Sequence, residues 1–284
     1  MFGFWNVDKP AGMTSHDVVA RARRASGIKK IGHAGTLDPL ATGVLVLCVG
    51  AATRLSEYVM HADKRYRARV RLGATTDTYD AEGEIVQERD ASHVTREAVE
   101  RALLPFVGDI EQIPPMYSAI KQGGRKLYDL ARAGETVERA ARSVRIDALA
   151  LVDWQPPEFT LDVGCSAGTY IRSLAYDIGE ALGVGAYLTG LTRTASGMFP
   201  LENAVPLDTL LIDPARYLIP PSEALRQYAA LVLDAAAEDD VRHGRSLAFD
   251  YADGTVIAAY DTGNRLIAMM KAEDGRLKPQ KVFT

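Results

Sequence analysis

One carboxylate, Asp38, stands in a polar, Gly-rich loop, Gly32-His33-Ala34-Gly35-Thr36-Leu37-Asp38-Pro39-Leu40-Ala41-Thr42-Gly43. The loop runs directly into the apolar stretch Val44-Leu45-Val46-Leu47-Cys48-Val49. A carboxylate fixed at the mouth of a strand can act as nucleophile, general base or metal ligand. An Asp-Pro pair also suits a turn in which the side chain caps its own backbone, so Asp38 needs companions before it implies catalysis. Spacing nominates no second carboxylate of the kind a glycosidase pair requires, and His33 stands alone rather than in a ligand cluster. Two other positions have suitable chemistry. Tyr66 heads the alternating run Arg65-Tyr66-Arg67-Ala68-Arg69-Val70-Arg71-Leu72, and Arg172 closes Gly168-Thr169-Tyr170-Ile171-Arg172. A guanidinium near a helix start can pair with a carboxylate or grip phosphate through two N–H groups. Taken singly, Tyr66 reads as a core aromatic before it reads as a site residue, and Arg172 also reads as a surface arginine.

The elements that must position these residues follow from periodicity and punctuation. A short strand is expected over 4–7 and a turn over 9–12. A helix capped by Ser15 should follow and stop at Gly27. The unbroken apolar run 44–49 reads as a buried strand, and 52–60 as a short helix. Strict alternation over 65–72 predicts a half-exposed strand with four arginines on its outer face. Residues 75–83 read as a polar loop, 84–87 as strand and 95–106 as helix. The Pro114-Pro115 pair keeps 112–119 out of regular structure, and a helix is expected over 127–133. Two strands over 143–154 and 159–165 form a predicted hairpin. They are followed by a helix over 170–182 capped by Thr169 and a strand over 187–196. Gly32, Gly35, Gly43 and Gly50 mark positive φ or close backbone approach around Asp38. Strands and helices alternate without regular β-α-β spacing, so the fold class is α+β around a mixed or antiparallel sheet. Ile219-Pro220-Pro221 reads as a linker. It divides a catalytic domain, 1–221, from a small β-rich domain, 222–284, with a helix over 235–242 and strands over 255–260, 266–270 and 278–283.

Composition narrows the setting. The 284 residues are 47% hydrophobic and 25% charged, which is globular and not disordered. Cys48 and Cys165 both lie in apolar runs, with no CxxC or Cys/His cluster to suggest zinc or a disulfide framework. The N-terminus lacks a signal-peptide pattern and no apolar run is long enough to span a bilayer, so a cytoplasmic protein is expected. The net charge of −4 hides an asymmetry: residues 1–80 carry +5 and the rest −9. Local charge, not the total, attracts a polyanion.

Together the motifs resemble the TruB family of pseudouridine synthases, bacterial enzymes acting on uridine 55 in the tRNA T-loop. The resemblance spans roughly residues 4–200. It rests on the Gly32–Gly43 loop, Asp63-Lys64-Arg65-Tyr66, Pro115-Met116-Tyr117-Ser118-Ala119, Gly168–Arg172 and Asn6-Val7-Asp8-Lys9-Pro10-Ala11-Gly12. It implies that Asp38 is the catalytic aspartate, Arg172 the arginine that pairs with it, and Tyr66 the tyrosine that stacks on the flipped base. His33 is expected to fill the space left in the T-loop. Lys9 and Leu191 are expected to line the active site, with Lys64 and Tyr170 beside the substrate. Val241-Arg242-His243-Gly244 and the β pattern after it resemble the family's PUA-type RNA-binding module. No metal and no cofactor are expected, because the isomerisation changes no oxidation state. The carboxylate could attack C1′ or promote a glycal-type intermediate, and the residues do not choose between them.

The implied partner is the tRNA T-arm, with no membrane, no guide RNA and a monomeric state. Two other readings compete. A non-catalytic RNA-binding or RNA-folding protein would have no use for Asp38, Tyr66 and Arg172 together, although RNA folding could accompany catalysis. A guide-RNA-dependent enzyme resembling dyskerin would be expected to carry a long basic tail or docking extension, and none is evident.

Overall fold

The computed structural model describes residues 1–118, 120–135, 137–249 and 251–283. Ala119, which closes the Pro115–Ala119 motif, lies outside the described residues. Strand β1 (Gly3–Lys9) leads into helix α1 (Ser15–Ser26). The helix cap is Thr14, one residue before the expected Ser15. Thr14 Oγ1 accepts from Asp17 N, and the Asp17 carboxylate accepts from Thr14 N. This reciprocal pair outcompetes a lone Ser15 cap, and Ser15 is left free to turn inward. Gly27 ends α1 at φ 69°, in the left-handed region.

Strands β2 (Ile31–His33) and β3 (Thr42–Val49) flank the Asp38 loop. A 3-10 turn (Gly50–Leu55) and helix α2 (Ser56–Met60) replace the single helix expected over 52–60. Strand β4 (Lys64–Leu72) alternates buried and exposed along its whole length. A small hairpin, β5 (Ala74–Thr76) and β6 (Ile85–Glu88), precedes helix α3 (Arg96–Leu103). Strand β7 (Gly108–Gln112) is an edge element that the periodicity does not reveal. The hairpin β8 (Lys121–Gln122) and β9 (Arg125–Lys126) leads to helix α4 (Leu127–Arg132). Strands β10 (Arg142–Gln155) and β11 (Glu158–Cys165) form the expected hairpin.

Helix α5 (Ile171–Ala181) is preceded by Tyr170 in the cap position, not Thr169, whose hydroxyl donates to Ser166 O instead. Strands β12 (Ala186–Ser196), β13 (Phe199–Pro200) and β14 (Val205–Pro206) and helices α6 (Leu207–Ile212) and α7 (Pro221–Ala224) follow. The remaining chain contributes β15 (Ala229–Val232), α8 (Ala235–Arg242), β16 (Leu247–Ala248), β17 (Val256–Tyr260), β18 (Leu266–Glu273) and β19 (Arg276–Val282).

A ten-stranded mixed sheet runs β14-β1-β3-β12-β4-β11-β10-β7, with β2 beside β3 and β13 beside β12. A second sheet of five strands runs β15-β17-β18-β19-β16. Strand β3 explains the rigidity of the centre. Leu45, Leu47 and Val49 enter one core with Tyr66, Ala68 and the α5 residues, while Val44, Val46 and Cys48 enter another with Phe199, Met269 and Phe283. These six side chains are fully buried, and each aliphatic one contributes roughly 1.5–3 kcal/mol. The second core joins both sheets. The segment read as a linker is stitched to β1, because Phe4 and Ile219 exchange two backbone hydrogen bonds of 2.8 Å.

Candidate active site

Asp38 stands on a loop held from four sides. Ser15 Oγ donates to Leu37 O at 3.0 Å and accepts from Leu37 N at 2.8 Å. Arg193 donates to Gly35 O at 3.1 Å and Thr36 O at 3.4 Å, and its Nε donates to Val44 O at 2.7 Å. Lys9 Nζ donates to Pro39 O at 3.3 Å, and Gly12 N to the same carbonyl at 2.9 Å. Strands β3 and β12 are parallel and pair at only two positions, Thr42↔Thr192 and Gly43↔Arg193. Gly43 is required there: its φ is +91°, and a Cβ would lie 2.4 Å from Arg193 O.

The carboxylate of Asp38 meets Arg172 Nε at 3.0 Å. Arg172 is nearly spent on protein partners: Nη1 reaches Asp80 Oδ2 at 3.3 Å and Thr78 O at 3.1 Å, and Nη2 donates to Tyr117 O at 2.7 Å. Its position follows from the start of α5. There the Gln112 amide accepts from Tyr170 N at 2.7 Å and donates to Tyr170 O at 3.0 Å. Ser173 Oγ donates to Ile113 O at 2.9 Å. An arginine whose fork is filled in this way points one way only.

Tyr66 and Arg193 lie opposite each other across β4 and β12, and Ala68 opposes Leu191. The Arg193 charge opposes the effect of burial on the Tyr66 phenol. Burial pushes the Tyr66 phenol above its ordinary value, so it is neutral at physiological pH. Leu191 is largely buried in the same core. The structure therefore brings Asp38, Arg172, Tyr66, Leu191 and Lys9 to one face of the sheet.

The other expected site residues are placed as follows. Lys9 is fully buried and donates to Pro10 O, Met13 O and Pro39 O. Burial lowers its pKa to about 8, with Asp38 opposing. His33 packs edge-on against His16, with ring centroids 5.3 Å apart. Burial lowers its pKa to about 4, so it is a neutral imidazole. Lys64 is buried and donates to the carbonyls of Met60 and Ala62, tying the end of α2 to β4. Tyr170 lies directly before α5, and burial raises its phenol. Burial raises the Asp38 carboxyl above the ordinary range; Arg172 opposes the rise and Asp80 adds to it.

Sequence reasoning missed two residues of this centre. Asp80 is buried against Arg172 and accepts from Thr78 Oγ1 at 2.7 Å and Glu82 N at 3.0 Å. Its signal was an acidic residue within the polar loop over 75–83. Arg193 is fully buried, and its signal was the one charge in the otherwise uncharged strand 186–196, where only a well-bonded guanidinium is tolerated once buried. The alternating arginines lie elsewhere. Arg65, Arg67, Arg69 and Arg71 face away from Tyr66, and Arg67 is held by both oxygens of Asp162 at 2.8 and 2.9 Å. Among the described residues no cluster of three or more His, Cys, Asp or Glu side chains could hold a metal ion. No described helix is long and apolar enough to cross a membrane.

The chain is similar in sequence and fold to known proteins. Residues 23–171 match the N-terminal domain model of the TruB family pseudouridylate synthases, and 172–227 match the tRNA pseudouridylate synthase B C-terminal domain. The tRNA pseudouridine synthase B of Burkholderia pseudomallei (strain 668) is 47% identical over 97% of this chain and 95% of its own. That of Symbiobacterium thermophilum is 53% identical over 85% of this chain and 82% of its own. Among solved structures, a chain of a Cbf5-Nop10-Gar1 complex superposes with a TM-score of 0.78 at 28% identity, covering all of this chain and 85% of that one. Fold and sequence thus define a pseudouridine synthase. The chain belongs to the TruB family. The two family models meet between Ile171 and Arg172, in the first turn of α5, where Ile171 packs into the large sheet's core.

Proposed function

We propose that this protein isomerises uridine 55 in the T-loop of tRNA to pseudouridine, with Asp38 as the catalytic carboxylate. The observation that carries the reading is the Asp38–Arg172 pair, in which the cation is buried and the carboxylate is open to the cleft. The target base must leave the stacked loop, at a cost of a few kcal/mol, and Tyr66 stacks on it. Asp38 assists cleavage of N1–C1′, by attack on C1′ or through a glycal. The freed base turns and C5 joins C1′. C5 then loses its proton and N1 gains one, so atoms and electrons balance without a redox partner. Arg172 aims the carboxylate and favours its ionised form. Lys9 and Leu191 shape the pocket, and His33, neutral and half-buried, fills the space the flipped nucleotide vacates. Lys64 and Tyr170 border the substrate through the elements they fix.

Residues 1–221 act as the catalytic domain and 222–284 as a PUA-like RNA-binding domain, in a monomer working in the cytoplasm on bare tRNA. Support for independence from a guide comes from the bacterial relatives, which at 47% identity are closer in sequence than the chain of an H/ACA RNP at 27%. The deciding experiment incubates the protein with an unmodified tRNA transcript and maps pseudouridine by carbodiimide-dependent primer extension. A single stop at the T-loop uridine, absent with Asp38→Asn, is expected. Tight tRNA binding with no stop anywhere would leave an RNA-binding or RNA-folding protein instead.

A further inference from the structure

Helix α5 carries Arg172 and Tyr176 one turn apart, so both side chains leave the same face. Arg172 grips Thr78 O and Asp80 Oδ2. Tyr176 stacks on Tyr79, the residue between them, with ring centroids 4.1 Å apart and planes inclined by 24°. Three consecutive residues are therefore held by two consecutive turns of one helix. Tyr79 has a φ of +64°, a region that residues with a Cβ seldom occupy. In that conformation the Thr78 carbonyl and the Asp80 carboxylate both reach the same guanidinium. From the other side, Leu188 N donates to Tyr79 O at 3.0 Å and Ala81 N to Leu188 O at 2.9 Å. An unusual backbone conformation beside a candidate site invites a functional account when its surroundings hold it so firmly.

We propose that the Tyr79–Tyr176 stack is a positioning clamp: it presses the 78–80 turn against α5 so that Arg172, braced on Thr78 and Asp80, presents Nε to Asp38. The clamp rests on the isomerase reading given above. Both tyrosines are positioning residues that act through Arg172. The groups facing Asp38 are Lys9 from β1, Tyr66 from β4, Asp80 and Glu82 from the turn after β5, and Tyr170 and Arg172 at the start of α5. Of these, Arg172 and Asp80 are the two that the clamp braces.

The test compares Tyr176→Ala, Tyr176→Phe and Tyr79→Gly with wild type in single-turnover assays on unmodified tRNA across a pH series. Melting temperature and tRNA affinity are measured alongside. Tyr79→Gly removes the side chain while keeping the positive φ accessible. Tyr176→Ala and Tyr79→Gly should slow the reaction by about tenfold to a hundredfold, the effect of a small misplacement remote from the chemistry. Affinity for tRNA should stay within about twofold. The acid limb of the pH profile should move to higher pH, because a loosely held Arg172 favours the ionised Asp38 less. Tyr176→Phe keeps the stack and should behave as wild type. A wild-type rate and acid limb in Tyr176→Ala would overturn the clamp, and so would an equal loss in Tyr176→Phe. If Tyr176→Ala does not fold, Tyr79→Gly decides by the same criteria. A wild-type chain that makes no pseudouridine would overturn the isomerase reading itself, and the clamp with it.

Discussion

Arg172 and Asp38 form an ion pair of unequal burial: the guanidinium side chain is 6% exposed and the carboxylate side chain 38%. A buried cation is stable only when its donors are satisfied. Here Asp80, Thr78 O and Tyr117 O satisfy most of them. Its Nε–H aims the Asp38 carboxylate, which solvent and substrate can reach.

Arg172→Met should therefore fail in two ways. It leaves Asp80 buried without its cation, which costs about 3–5 kcal/mol, and it releases Asp38. A thermal melt should show the first effect and single-turnover kinetics the second. Arg172→Lys keeps a charge but lacks the planar fork, so it should recover stability better than rate. Full activity in Arg172→Lys would show that charge alone suffices.

Asp38→Asn should abolish pseudouridine formation while tRNA affinity stays within a few-fold, measured by primer extension and filter binding. Its stability should change in the opposite sense. Partial burial in the cleft raises the Asp38 pKa, with Arg172 opposing, so the folded protein holds this proton more tightly than the unfolded chain. The stability gained from protonation is present below the ordinary carboxylate pKa and is lost as pH rises through the raised folded value. At neutral pH the Asn variant should melt above wild type, with the gap closing as the pH falls into the carboxylate range. Equal melting curves at neutral pH would contradict a raised pKa.

Gly43→Ala should destabilise the protein by about 1–3 kcal/mol through its positive φ, plus the cost of moving Arg193, whose carbonyl lies 2.4 Å from the new Cβ site. Because Arg193 also clamps Gly35 and Thr36, activity should fall further than tRNA binding. A variant with unchanged melting temperature would show that β3 and β12 can separate freely.

The arginines of β4 offer a control on charge. They face away from Tyr66, and two of them are paired, Arg67 with Asp162 and Arg69 with Glu158. Arg65→Ala, Arg69→Ala and Arg71→Ala should leave both tRNA affinity and its salt dependence unchanged. A slope of log affinity against log salt reduced by about 0.7–0.9 per removed charge would place phosphates on this face.

The sequence alone determined the elements with a strong local signal. Alternation in Arg65–Leu72 specified β4 and which face Tyr66 shares with Ala68. The unbroken apolar run specified β3. Motif order pointed to Asp38, Tyr66 and Arg172, because these residue types stand at fixed places in a recognisable series. Local signals also misled by one residue at two helix starts, where Thr14 and Tyr170 occupy the positions expected of Ser15 and Thr169. Only tertiary structure decided what surrounds the carboxylate. Asp80 and Arg193 reach the site from 42 residues downstream and 155 residues downstream of Asp38 in the chain, and neither has a local pattern that reports a partner. Their roles come from long-range pairing, β12 beside β3 and α5 over the 78–80 turn. Only such pairing can sum several weak hydrogen bonds into one fixed orientation.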